Sequence, residues 1–162
     1  MTRSDHEMLI DNFRFTHRLI HMQTDGLTHA DSLLQLPFRG NCLNWVLGHI
    51  VDNRNNVLKL VGAQPVFTKE EASIYGHGSD PVTGEGKALP LERLLADLDE
   101  AQNRVAAALE SISPEALAAE IEVWKGKTPL AEHLAFLHWH ETYHVGQLEL
   151  LRQLAGKNDA VI

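Results

Sequence analysis

The chain has 162 residues, 44% of them apolar, with 22 acidic residues against 14 basic ones and a formal net charge of −8. That length suits one domain over residues 1–162 with a sizeable core, and the composition excludes a disordered chain. The acidic balance argues against a nucleic-acid partner, since phosphate affinity comes largely from lysine and arginine, and no apolar run approaches the roughly 18 residues of a membrane-spanning helix.

The first helical pattern opens with Ser4-Asp5-His6-Glu7, which reads as a capping box, and continues as the stripe Leu9, Ile10, Phe13, Ile20 and Leu27. The same N-terminal stretch lacks the basic and apolar regions of a secretory signal. Cys42 is the single cysteine, which leaves no internal disulfide and fits a reducing interior. A cytoplasmic protein is therefore expected. The second helix begins near Asn41 and carries Leu43, Val46, Leu47, Ile50, Val57, Leu58 and Val61 before Gly62. Residues 62–89 hold five glycines and two prolines with little periodicity, so they read as a long crossover with short ordered turns. The third helix follows Pro90, with Leu91, Leu94, Leu95, Leu98, Val105, Leu109 and Ile112 on one face. Ser113-Pro114-Glu115 starts a short helix. The fourth long helix opens at Thr128-Pro129, a cap plus first-turn proline, and runs to Gly156. No segment reads as a strand. The predicted fold is an all-α four-helix bundle with its long crossover between helices 2 and 3.

The fourth helix carries His140-Glu141-Thr142-Tyr143-His144. Residues four apart on a helix differ by about 40° in direction, so both imidazoles can reach one cation. With Leu137 taken as the core direction, His140 lies at about −60° and His144 at about −20°, both inward. Burying two unpartnered imidazoles is costly, and a metal satisfies both at once. Hydrogen-bonded core histidines are the alternative. On the second helix His49 sits about 100° from Ile50, on the flank of the apolar stripe with Asn53, Asn56 and Cys42. Three protein ligands with open positions is the usual catalytic arrangement for zinc.

The H-E-x-x-H spelling also belongs to zinc peptidases. Their longer form places Gly and His where this chain has Gln147 and Leu150, only 18 residues follow His144, and no strand edge precedes it to hold a peptide. That reading is disfavoured. Asn44-Trp45-Val46-Leu47-Gly48-His49-Ile50 and His140-Glu141-Thr142-Tyr143-His144-Val145-Gly146-Gln147-Leu148 together resemble the W-x-x-x-H and H-E-x-x-H-x-G-Q-L segments of the DinB/YfiT-like superfamily. The order, separation and helical layout match over nearly the whole chain. The resemblance implies a metal held by His49, His140 and His144, in a bundle that commonly dimerises; by ligand type three imidazoles suit divalent Zn, Ni, Fe or Cu. Members of that superfamily include S-transferases and isomerases that use low-molecular-weight thiols, so a small-molecule substrate is implied; Lewis-acid activation of water, giving a hydrolase, is the other reading such a metal site allows. A non-catalytic metal- or ligand-binding module is the alternative.

Glu141 falls inside the apolar stripe of the fourth helix. It is read as a general base, as a partner orienting an imidazole, or as the mate of a basic residue across the bundle. Gln147 hydrogen-bonds near the site or packs at the helix end. His17, between Phe13 and Ile20, is the candidate for an extra ligand or a satisfied core histidine. His133 shares the inward face, about 10 Å along the axis from His140, too far for the same ion. Cys42 is a candidate ligand or an inert helix-start thiol. His21 is given no role. Ala135, Trp139, Tyr143, Gly146 and Leu150 make the back of the fourth helix apolar, which points to a homodimer contact or to cover by the crossover.

Overall fold

The structure, a computed structural model, describes residues 5–84, 86–159 and 161, with only the backbone of Asp5. The capping box expected at Ser4 lies outside the described residues. Four long helices dominate: α1 (Asp5–Thr24), α3 (Leu43–Leu60), α5 (Leu91–Ser111) and α7 (Leu130–Leu154). Short helices α2 (His29–Ser32), α4 (Lys69–Tyr75) and α6 (Pro114–Ala118) interrupt the connections. The helical periodicity thus finds its helices. Pro90 caps α5, and Gly62, at φ +75°, stands just past the end of α3 where a left-handed residue turns the chain away.

α1 packs against α5 and α7, and α3 packs against the same two. The long helices therefore run α1–α5–α3–α7 around the bundle, and the α3–α7 seam lies opposite the α1–α5 seam. Burial of apolar stripes drives this arrangement. The core forms two clusters. One gathers Leu43, Leu47, Ile50, Tyr75, Leu94, Leu98 and Leu148. The other gathers Phe13, Val57, Leu58, Val105, Leu109 and Leu134.

Between them, each long helix contributes one polar side chain: Thr16, Arg54, Gln102 and Glu141. Arg54 and Glu141 are fully buried. The guanidinium grips the carboxylate with two bonds, Nε to Oε2 at 3.0 Å and Nη2 to Oε1 at 2.8 Å. It also donates to Gln102 Oε1 at 2.8 Å and to the Phe13 carbonyl at 3.1 Å. The Thr16 hydroxyl donates to Glu141 Oε1 at 2.5 Å. A charge removed from water is tolerated only with such complete pairing.

Two expectations are corrected. A hairpin is present, β1 (Glu120–Val123) paired antiparallel with β2 (Gly126–Pro129), Glu120 opposite Pro129 and Val123 opposite Gly126. Gly126 turns it at φ +103°. Thr128 and Pro129 consequently belong to the strand, and the ladder is prolonged by Leu130 N–H donating to the Ala119 carbonyl at 2.9 Å. α7 begins one residue later, at Leu130. Among the described residues, no helix is long and apolar enough to cross a membrane.

Candidate metal centre

The Asn44–His49 segment builds its own surroundings. It opens α3, where residue 44 faces the crossover and residues 45, 48 and 49 meet α4 and α7. Gly48 has no side chain because the Tyr75 ring occupies that space: a Cβ there would stand 2.3 Å from it. Tyr75, fully buried at the end of α4, is fixed by its hydroxyl, which donates to Asn44 Oδ1 at 3.0 Å and accepts from the Leu89 N–H at 2.8 Å. Its carbonyl then accepts from His49 Nδ1 at 2.7 Å. The Trp45 ring stacks on the His49 imidazole, centroids 4.8 Å apart and planes 11° apart. A carbonyl accepts only, so His49 carries its proton on Nδ1 and presents the Nε2 lone pair outward.

Across the α3–α7 seam, His140 donates Nε2–H to the His49 Nε2 lone pair at 3.0 Å, a bond that an ion between the rings would replace. His144 donates Nδ1–H to Gln147 Oε1 at 2.8 Å, which likewise leaves Nε2 free. Ligand nitrogens of His49, His140 and His144 all lie within 4.8 Å of one another. Two nitrogens sharing a tetrahedral ion at roughly 2.0–2.1 Å stand about 3.3 Å apart, close to the 3.0 Å between His49 and His140. His49 and His144 are buried and His140 half-buried. Burial holds all three below the ordinary histidine range, His144 down to about 4, and for His140 the neighbouring His49 adds to the effect. The rings are therefore neutral at physiological pH, the form in which imidazole ligates a metal. Nδ1 held by an acceptor with Nε2 turned to a common point is the usual support of a metal-bound histidine. The donor set fits a divalent ion.

The sequence-expected orientation of α7 needs correction. Its most buried positions are Leu134, Glu141 and Leu148, not the half-buried Leu137. The core therefore lies about 40° further round, toward Glu141. That rotation puts Glu141 at the centre of the core and His140 at its flank. Both Glu141 oxygens are engaged by Arg54 and Thr16, the cross-bundle pairing that was one of the readings open to it. His133 is half-buried, its ring 6.0 Å from that of Phe136, and it is not among the three rings. Cys42 is buried and its thiol donates to the Val82 carbonyl at 3.4 Å, away from the cluster. His17 does not join the three rings. It bonds Asp99 on the α1–α5 seam.

Beside His144 opens a groove of about 860 Å³, lined by residues 36–41 and by Trp45, Tyr143, Gln147, Leu150 and Leu154 among others. Its walls are mainly apolar. The crossover leaves the back of α7 uncovered: Trp139, Tyr143 and Leu150 are 60%, 59% and 66% exposed. Tyr75 and Gly48 are the site residues that sequence reasoning missed. A glycine next to the candidate ligand, inside a helix, was the available sign of close packing.

A family model described as the DinB superfamily matches residues 13–148. Among solved structures, the chain is similar to a conserved protein of Enterococcus faecalis described by its crystal structure, with a TM-score of 0.73 and 14% identity over 95% of this chain and 98% of that one. At that identity the likeness shows the fold. A search among curated proteins returned no match.

Proposed function

Because the chain belongs to the DinB superfamily, we propose that it is a metal-dependent enzyme in which His49, His140 and His144 hold one divalent ion of the zinc, nickel or iron kind. Its nucleophile is a low-molecular-weight thiol and its second substrate an electrophilic small molecule. The observation that carries this reading is ring orientation: Tyr75 and Gln147 occupy the Nδ1 positions of two histidines, so the Nε2 lone pairs remain for a ligand. An ion so bound supplies Lewis-acid stabilisation of a thiolate, giving a nucleophile at neutral pH.

The chain's own residues do the rest. Tyr75, Trp45 and Gln147 fix two of the three rings. The apolar groove beside His144 takes the body of the electrophile and excludes water from it. We read Glu141, whose oxygens Arg54 and Thr16 already engage, as a structural partner rather than the base, and this favours thiol transfer, in which the ion itself would lower the pKa of the thiol. One observation favours the hydrolytic alternative. Asp52, one turn after His49, is buried, burial pushes its carboxyl above the ordinary range, and a carboxylate near the ligands is the base that hydrolysis would need. The exposed face of Trp139, Tyr143 and Leu150 is the contact proposed between two copies of the chain, so that a second copy would border the groove that Tyr143 and Leu150 line.

Metal analysis of natively expressed protein and assays of electrophile-dependent thiol consumption and ester hydrolysis test this reading. Thiol consumption is expected in the wild type, lost in His144→Ala and retained in His133→Ala. Metal bound without turnover of either kind identifies a binding module instead.

A further inference from the structure

We propose that His17, His21 and Asp99 form a second metal site, on the seam between α1 and α5, for a divalent first-row transition ion such as Zn²⁺. His17 and His21 repeat the four-residue spacing of His140 and His144, so their rings lie on one face of α1 with centroids 4.7 Å apart. Both Nε2 atoms approach the same oxygen from α5, Asp99 Oδ1, at 2.8 Å and 2.6 Å. The three ligand atoms lie within 4.8 Å of one another. A carboxylate oxygen has lone pairs enough to accept from both rings, so the arrangement holds without an ion. Two rings crowded on one oxygen are two nitrogens and a carboxylate already converging on a point.

Without metal, both rings donate Nε2–H to the carboxylate. On binding, each ring turns its Nε2 lone pair to the ion, with the proton moved to Nδ1 or released to solvent, and Asp99 becomes the third ligand. Two imidazoles and one carboxylate suit zinc and its neighbours by ligand type, at distances of roughly 2.0–2.2 Å. The side chains are 24%, 39% and 50% exposed for His17, His21 and Asp99, so water fills the remaining coordination positions. The ion would tie α1 to α5 across the bundle from the His49 cluster. It binds folded chains alone and therefore stabilises them. This site stands whether or not the His49 cluster binds metal.

Full-length protein stripped of metal and titrated with Zn²⁺ against a competing chelator tests it, together with NMR of the histidine side chains. His140→Ala, which leaves the half-exposed edge of the other cluster, and His144→Ala are each expected to retain a zinc ion whose addition shifts the His17 and His21 imidazole signals. His21→Ala is expected to bind one ion fewer than wild type. Asp99→Asn keeps an oxygen for the rings but loses the anionic ligand, and it should weaken this binding at least about tenfold. Circular dichroism identifies which variants fold, and His21, being partly exposed, is replaceable. Zinc stoichiometry equal in His21→Ala and wild type, or His17 and His21 signals unmoved by zinc, would overturn the proposal. So would undiminished binding by Asp99→Asn.

Discussion

His140 and Glu141 are neighbours on one helix, yet they serve opposite regions of the molecule. Glu141 sits in the polar layer, where Arg54 and Thr16 meet its oxygens and the pairing is closed. His140 sits at the α3–α7 seam, where three neutral rings gather beside an open groove. A buried group with all its partners holds a fold together, whereas ring nitrogens that converge beside solvent are placed to take a ligand. The difference also bears on the disfavoured peptidase reading of H-E-x-x-H, which needs the glutamate at the metal, whereas Glu141 turns its oxygens to Arg54 and Thr16 in the core.

Breaking the closed region should cost most. Glu141→Ala strands a buried guanidinium and should lose about 3–5 kcal/mol in denaturant unfolding. Glu141→Gln, if it folds, should keep its metal content and thiol turnover. Turnover lost at unchanged stability would move Glu141 into the chemistry and collapse the contrast.

The open region should respond to acid instead. Burial lowers His144 to about 4 in the folded, metal-free chain, against 6.5 for an ordinary histidine. Between those values the unfolded chain binds more protons, so the contribution to stability is complete above pH 6.5 and is lost as pH falls toward 4. Compared with His144→Gln, metal-free wild type should lose up to about 3 kcal/mol more across that window. Equal pH profiles for the two would contradict the burial assigned to this ring.

Gly48→Ala tests the support beneath His49. Its Cβ meets the Tyr75 ring, which is held at its hydroxyl and cannot swing aside cheaply. The expected cost is about 1–3 kcal/mol, with weaker metal binding because the Tyr75 carbonyl moves. Gln147→Ala, the mildest change, should leave stability nearly unaltered and weaken metal about tenfold. An unchanged affinity would show that His144 needs no partner.

The apolar stripes of α1, α3 and α5 were legible because each has one clear face, and Pro90 and Gly62 punctuated them. α7 was harder. Trp139, Tyr143 and Leu150 add apolar surface on its outer side, so periodicity did not fix its rotation, and Leu137 stood in for the true centre at Glu141. Arg54, the residue that settles that rotation, is 87 positions away in sequence. The hairpin had a visible sign, the alternation of Glu120-Ile121-Glu122-Val123 before Gly126, but four residues are too few to outweigh helical neighbours. The three candidate ligands were legible from spacing and resemblance. The Tyr75 carbonyl was not, because a backbone acceptor in a crossover leaves no trace in residue type. His17 and His21 had the right spacing, but Asp99 is joined to them only by the packing of α1 on α5.

The claim on which the rest depends is that His49, His140 and His144 share one ion. Anomalous diffraction from crystals of the zinc-loaded chain tests it directly. A peak about 2.0–2.1 Å from a nitrogen of each ring is predicted, and well-ordered crystals of loaded protein with no peak among the three rings would contradict it.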